Sequence, residues 1–217
     1  AASLSHPTPI TMGDQSGDKT PAAEGDGKAN ALHPLNTKWG LWFHSSEDND
    51  NWGLDSYEKV YEIDTVETFW RVFNNIRDDI KRGYWFLMRD TIKPMWETPE
   101  NENGGSWVFD VKGDEAEQAF IEIAMAAVGE RVLQDAKESF HEICGLSFTA
   151  GKGGSFRIKI WNRDKDKEKS QNSKVNQNIP LITQGKGDKY YYRPHQKAKG
   201  GKSYGKRGST SGGGRRR

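Results

Sequence analysis

All eight tryptophans of this 217-residue chain fall between Trp39 and Trp161, together with most of its aliphatic residues. That crowding fixes where a core can form. The chain as a whole is only 33% hydrophobic, with a mean hydropathy of −0.92, which is low for a globular protein of this length. The uneven distribution resolves the discrepancy. Residues 1–32 are rich in Gly, Ala, Ser, Thr, Pro and Asp without any periodic pattern, and are expected to be a disordered tail. Residues 200–217, a basic Gly-rich run ending in three arginines, are expected to be disordered as well. Between the tails, residues 33–199 are long enough for one domain.

Within that domain the hydrophobic period switches between two and about three and a half. Lys38–His44 places Trp39, Leu41 and Phe43 on one side and reads as a strand. Tyr57–Ile63 reads as a second strand. Asp64-Thr-Val-Glu67 has the form of a capping box opening a helix to about Ile76, with Val66, Phe69, Trp70 and Phe73 as its apolar stripe. Strands are expected at Tyr84–Arg89, Ser106–Val111, Ile143–Thr149 and Ser155–Trp161, the last two joined by a hairpin at Gly151-Lys-Gly-Gly154. Pro94–Pro99 reads as a loop. A second helix is expected from Asp114 and Glu117 to near Arg131, a short one within the polar stretch 163–178, and a final strand around Lys189–Arg193. Hairpin-linked strands interrupted by helices indicate an α+β fold rather than a parallel α/β sheet.

Net charge is only +1, but from Lys186 onward eleven Lys or Arg face one acid, Asp188. Such a segment attracts phosphate backbones or other anions without sequence preference, or it simply solvates a tail. Cys144 is the single cysteine, so an intramolecular disulfide and a cysteine-based zinc site are both excluded. No signal peptide and no apolar run of about 20 residues is present, so an intracellular protein without membrane attachment is expected, with the cytoplasm as its default compartment and the nucleus as a second. Gly200-Gly-Lys-Ser203 ends like a phosphate-binding loop, but Gln196 stands where the pattern needs glycine. The five histidines form no His-X-X-X-His pair, and no cofactor is implied.

Two tryptophans sit in polar, turn-forming sequence: Trp52 in Glu47-Asp-Asn-Asp-Asn-Trp-Gly, and Trp96 in Lys93-Pro-Met-Trp-Glu-Thr-Pro. Each could cover an apolar edge of a sheet. Each could instead stack on a flat ligand, and a cationic base would gain most, because the ring quadrupole attracts positive charge. Glu97, directly after Trp96, could be a surface carboxylate, or could accept the paired N1–H and N2 amino donors of a guanine edge. Lys152 and Arg157 flank the hairpin leading to Trp161. They are solvated cations on the bland reading and phosphate ligands if a base binds nearby.

Five segments together make a specific resemblance. His33-Pro-Leu-Asn-Thr-Lys-Trp-Gly-Leu-Trp-Phe43, Asp64-Thr-Val-Glu-Thr-Phe-Trp70, Ile92-Lys-Pro-Met-Trp-Glu97, Gly104-Gly-Ser-Trp107 and Ile158-Lys-Ile-Trp161 occur in an order and spacing that resembles the eukaryotic translation initiation factor 4E family. The resemblance covers residues 33–161 well and 162–200 loosely. It implies a strongly curved antiparallel sheet of about eight strands with three helices on its convex face. It further implies a non-enzymatic monomer that binds the 7-methylguanosine cap of messenger RNA in its concave face. By motif position, Trp52 and Trp96 would stack on the base, Glu97 would read its edge, the backbone N–H of Trp96 would meet O6, and Trp161 would touch the N7-methyl group. Lys152 and Arg157 would hold phosphates. On the convex face, His33, Pro34, Val66, Trp70, Ile121, Glu122, Met125 and Gly129 match the residues that receive a partner helix carrying a Tyr-X-X-X-X-Leu-apolar motif. That partner would be an initiation scaffold factor of the 4G class or a 4E-binding repressor.

The chain also departs from the family pattern. Ser106 and Gly154 stand where basic residues near the phosphates are common, and the third-helix region, Asp164–Asn178, is unusually polar. Phosphate affinity is therefore expected to be lower, with the basic stretch after Lys186 compensating. Two other functions are consistent with parts of the sequence. A cap-binding paralogue that represses translation would share the site and differ in partner choice. A carbohydrate-active enzyme using tryptophan platforms would need a second carboxylate in an aromatic setting like that of Glu97, and none is seen.

Overall fold

The computed structural model describes residues 31–48, 50–77, 79–169, 174–176, 178–179 and 190–195. The tails expected at 1–32 and 200–217 lie outside these residues, apart from Ala31 and Leu32, as does most of the basic stretch after Lys186. Seven strands are described: β1 (Pro34–Ser45), β2 (Tyr57–Thr65), β3 (Gly83–Arg89), β4 (Gly105–Lys112), β5 (Ile143–Ala150), β6 (Ser155–Asn162) and β7 (Tyr191–Pro194). They form one antiparallel, curved, open sheet in the order β2-β1-β3-β5-β6-β4-β7. Three helices accompany it: α1 (Val66–Ile76), α2 (Ala116–Val128) and α3 (Ala136–Glu142).

The period of two along each strand sorts side chains into two layers. On one face Trp39, Leu41, Trp85, Leu87, Trp107, Phe109, Phe148, Ile158 and Ile160 pack against Phe69 and Phe73 of α1 and Phe120 of α2, forming the main core. On the other face Trp42, Phe86, Met88, Ile92, Cys144 and Trp161 form a smaller cluster. Four tryptophans, Trp39, Trp42, Trp85 and Trp107, are thus committed to packing. The hairpin between β5 and β6 turns through Gly153 and Gly154, both left-handed (φ 62° and 78°), which only glycine adopts without strain.

Several expectations are corrected in detail. The described sheet has seven strands where about eight were expected. The N-cap of α1 is Thr65, not Asp64: its hydroxyl accepts from the Thr68 N–H at 3.1 Å. Glu67 therefore lies one turn position earlier than a capping box needs, and its carboxylate instead accepts from the His33 backbone N–H at 3.0 Å. Val66 and Trp70 leave the apolar stripe, which is Phe69, Val72, Phe73 and Ile76. No side chain caps α2, so the box expected from Asp114 and Glu117 is absent and the helix ends at Val128. The third α-helix is Ala136–Glu142, capped by Asp135 accepting from the Glu138 N–H at 2.8 Å, and not within Asp164–Asn178, where the described residues form only a short 3₁₀ turn at Lys165–Lys169. The last strand is Tyr191–Pro194, two residues later than expected at its start.

A buried ion pair ties the sheet to the turn after α2. Arg89 donates to both Glu130 oxygens at 2.6 and 2.8 Å and to the Ile143 carbonyl at 2.8 Å. Its guanidinium also lies over the Trp39 ring at 4.5 Å. Every strong polar group of the pair is thereby matched, the condition under which a buried charge is tolerable.

Candidate functional site

The face opposite the helices carries a cavity of about 490 Å³. Its lining includes Trp52, Trp96, Glu97 and Trp161, four residues singled out in the sequence, with Tyr57, Phe86, Pro94, Ser106, Ser147, Thr149, Lys159, Arg193, Pro194 and His195. The three tryptophans come from three different places. Trp161 sits on β6, buried, its indole N–H donating to the Ser147 hydroxyl at 3.1 Å, so it forms part of the floor. Trp52 and Trp96 sit in loops and remain 46% and 42% exposed.

Each loop has its own fastening. Following β1, the Asn51 carbonyl accepts from His44 at 2.9 Å, and the Asn51 side chain accepts from the Gly53 N–H at 3.0 Å. Ser56 then closes a short turn by donating its hydroxyl to the Gly53 carbonyl at 2.8 Å. The Trp96 loop is organised around Asn101, whose side-chain amide donates to the Lys93 and Met95 carbonyls at 3.1 and 2.8 Å and to the Thr98 hydroxyl at 3.2 Å. The Asn101 carbonyl accepts from His195 Nδ1 at 2.7 Å, which joins the loop to the end of β7. His195 also packs edge-on against Trp161, ring centroids 5.0 Å apart.

The charges in the cavity are of both signs. Burial, followed by the negative charge of Glu97, pushes the Tyr57 phenol up to about 12. Burial pulls the Lys159 ammonium below the ordinary lysine value, and the nearby Arg157 and Arg193 act in the same direction. Burial also lowers His195; the bond to the Asn101 carbonyl and the charge of Glu97 oppose that, and Lys159 reinforces it. Neither the Lys159 ammonium nor the Arg193 guanidinium has a hydrogen bond or ion pair within the described residues. Two cations thus face the cavity without an ion pair among the described residues, and an anionic group bound there would be attracted to both.

Of the six cavity residues expected from the sequence, two lie elsewhere. Lys152 is exposed in the β5–β6 turn and does not line the cavity. Arg157 shares the cavity face of β6 but is committed to its cross-strand partner Asp110, to which its Nε and Nη2 both donate at 2.8 Å. Lys159, Arg193 and His195 were missed. The signal for Lys159 was present, since it alternates with Trp161 on one face of β6. The other two depend on β7 pairing with β4, where Ser106 lies opposite Trp161 on one side and Arg193 on the other.

The surface expected for a partner helix is partly assembled on the helix-bearing face. Val66 and Trp70 are 41% and 38% exposed, and His33 and Pro34 are exposed beside them, the His33 ring lying 2.6 Å from a Glu67 oxygen. On α2, Glu122 and Met125 are half-buried and Gly129 is exposed. Ile121 is the exception: at 1% exposure it belongs to the core and offers a partner no surface.

Comparison with known proteins settles the family. The model of the family described as eukaryotic initiation factor 4E matches residues 34–209. The chain belongs to the eukaryotic initiation factor 4E family. Eukaryotic translation initiation factor 4E of Dictyostelium discoideum is 35% identical over 144 residues, 64% of this chain and 55% of that protein. Factor 4E-1 of Caenorhabditis elegans is 36% identical over 140 residues, 61% of this chain and 63% of that protein. The match thus spans less than two thirds of these relatives' length. Among solved structures, C. elegans eIF4E-3 in complex with the 4E-binding protein Mextli superimposes with a TM-score of 0.64 at 26% identity, covering 76% of this chain and 94% of that one. Ascaris suum eIF4E-3 in complex with the m7G cap gives 0.61 at 27% identity, covering 76% and 93%. In this chain the cavity's positive charge comes from the strands on either side of β4: Ser106 is uncharged, and Lys159 on β6 and Arg193 on β7 reach the same face.

Proposed function

We propose that this chain is a non-enzymatic messenger-RNA cap-binding factor of the cytoplasm. It takes 7-methylguanosine between Trp52 and Trp96 and engages a scaffold factor or 4E-binding protein on its helix-bearing face. The observation that carries the reading is the single cavity that gathers Trp52, Trp96, Glu97 and Trp161. The solved complexes of relatives with a cap and with a 4E-binding protein support it.

The chemistry follows from the base. Methylation at N7 makes guanine cationic, and a cation between two indole faces is favoured by both ring quadrupoles, each stack contributing about 1–3 kcal/mol. Glu97 accepts from N1–H and the N2 amino group, the paired donors that adenine lacks, and its charge favours the methylated base a second time. The Trp96 backbone N–H serves O6, and Trp161 meets the methyl group. Lys159 and Arg193 take the phosphates nearest the base, while Lys152 and Arg157 stand further out. On the opposite face, His33, Pro34, Val66, Trp70, Glu122, Met125 and Gly129 receive the partner helix.

Tryptophan fluorescence with 7-methyl-GTP beside GTP tests this directly. Strong quenching with a clear preference for the methylated nucleotide is expected; equal affinity, or no quenching by either, would sink the reading.

A further inference from the structure

Beyond the cavity, the same face of the sheet continues to one more exposed aromatic ring. Tyr190, Tyr191 and Tyr192 are consecutive, and the alternation of side chains entering β7 divides them. Tyr190 packs on Phe109 and Tyr192 on Trp107, so both lie against the main core on the helix side. Tyr191 faces the opposite way and is 46% exposed, with no ring contact or hydrogen bond among the described residues. Arg193, two residues on and on the same face, lines the cavity.

Strand register fixes where that ring stands. Trp161, Ser106 and Arg193 lie side by side on β6, β4 and β7, and Lys159, Val108 and Tyr191 form the next row on the same face. One row further, Arg157 and Asp110 neutralise each other at 2.8 Å. On these three strands the unpaired positive charge is therefore confined to Lys159 and Arg193, between the Trp161 floor and the Tyr191 ring. Two strand spacings separate the Lys159 and Tyr191 backbones, about 10 Å. A triphosphate bridge and the sugar attached to it can cover that span.

We propose that Tyr191 is a stacking platform for the base of the nucleotide joined to the cap through its triphosphate. This rests on the cap-binding reading of the cavity. A tyrosine suits a strand by β-propensity alone, but propensity does not explain the order of the rows. Aromatic floor, two cations and exposed ring follow one another as base, phosphates and base do in a capped dinucleotide. A nucleotide whose 5′ phosphate lies at Arg193 brings its own base beside Tyr191, two residues away on the same face. Stacking on such a ring tolerates any base. The basic segment after His195 shares the sign of the two cations, so a polyanion is the occupant their charge favours.

The test compares 7-methyl-GTP with 7-methyl-GpppA by tryptophan-fluorescence titration of the 217-residue chain, in the wild type, Tyr191→Phe and Tyr191→Leu. Leucine keeps an apolar side chain on the strand but offers no ring face. Tyr191→Leu should lower affinity for the dinucleotide about fivefold or more, the low end of what one base stack is worth, and change 7-methyl-GTP less than about twofold. Tyr191→Phe should keep the wild-type affinity for both. An equal loss for both ligands would make Tyr191 a support of the cavity and overturn the proposal, as would no loss for either. A gain in dinucleotide affinity in Tyr191→Leu would mean that another part of the chain covers the ring, and overturns it too. Absence of 7-methyl-GTP binding to the wild type overturns the cap-binding reading together with the proposal. Should Tyr191→Leu fail to fold, the Tyr191 ring resonances of the wild type are followed instead. They should shift with 7-methyl-GpppA and stay in place with 7-methyl-GTP; the same response to both ligands overturns the proposal.

Discussion

The loop carrying Trp52 and the loop carrying Trp96 reach one cavity, yet they are fastened to the sheet by different means. Trp52 is anchored by packing: a parallel histidine ring from β1, with Tyr57 also within 6.3 Å of the indole centroid. Among the described residues the polar bonds of its loop are mostly short-range, and the Ser46 hydroxyl also donates to the distant Arg82 carbonyl at 3.2 Å. Trp96 is anchored by hydrogen bonding: one buried amide, Asn101, holds the Lys93 and Met95 carbonyls and the Thr98 hydroxyl. Ring packing is broad and tolerates small shifts, whereas an amide with fixed donors and acceptors has one geometry. The carboxylate proposed to read the base edge follows Trp96, in the loop with the stricter fastening. Stacking needs only a flat surface at the right height. Edge reading needs a carboxylate placed to a fraction of an ångström.

The sharpest way to break that comparison is to remove the amide. Asn101→Leu keeps side-chain volume but strands two backbone carbonyls, each worth about 1–3 kcal/mol when left buried and unpaired. Urea unfolding should show a loss of about 2–4 kcal/mol, and affinity for 7-methyl-GTP should drop more than about tenfold because Trp96 and Glu97 lose their position together. The matching change in the other loop, Ser56→Ala, removes one part-buried turn bond and should cost about 1 kcal/mol with little effect on affinity. Equal losses in the two variants would erase the distinction between the loops.

A second change separates stacking from edge reading. Glu97→Gln preserves shape and removes the charge. Affinity for 7-methyl-GTP, measured by calorimetry, should fall about tenfold to a hundredfold, the worth of a charge-assisted pair, while residual quenching of tryptophan fluorescence persists because the indoles remain. If quenching vanishes as well, Glu97 would be needed for stacking and the division of labour between the two loops would not hold.

Much of this arrangement is written in local sequence, and the remainder is written only in strand order. Alternation of Trp39, Leu41 and Phe43 against Trp42 and His44 marks β1 and even its two faces. α3 escaped because seven residues are too few for a visible apolar stripe, although Asp135 and Glu138 carry the spacing of a cap. The four cavity-lining residues Trp52, Trp96, Glu97 and Trp161 are singled out by the resemblance, since composition alone leaves stacking and edge-covering open. The cations expected at the phosphates and those that line the cavity differ for a physical reason. Whether a basic side chain is available depends on its cross-strand neighbour, and Arg157 lies opposite Asp110, an opposite charge nearly fifty residues away that no local pattern reveals. Arg193 and His195 enter the site only because β7 pairs with β4.

That difference leads to a third, smaller effect. Lys159→Ala should weaken binding of 7-methyl-GTP several-fold while leaving 7-methylguanosine nearly unchanged, because a phosphate contact adds affinity without reading the base. Lys152→Ala, in the exposed turn, should change the same comparison less than about twofold at physiological salt, where a solvated charge is largely screened. The reverse ranking would return the phosphates to the hairpin tip.

The smallest expected effect concerns the joint between the two fastenings, where His195 donates to the carbonyl of Asn101. Burial lowers the affinity of His195 for its second proton relative to an unfolded chain. A group with a depressed folded value stabilises the protein fully above its unfolded value, near pH 6.5, and loses that contribution as the pH falls through the folded value. Thermal stability of the wild type should therefore decline between pH 7 and pH 5, and His195→Asn should show a shallower decline. The asparagine amide can still donate to the Asn101 carbonyl, so the Trp96 loop keeps its tie to β7 while the titrating group is gone. A bound phosphate beside Lys159 would screen the cation that helps depress His195, so saturating 7-methyl-GTP should itself flatten the wild-type slope. Burial is the larger cause of the depression and is untouched by the ligand, so the flattening should be partial; a slope that becomes steeper with ligand bound would show that the phosphates do not offset Lys159 beside His195.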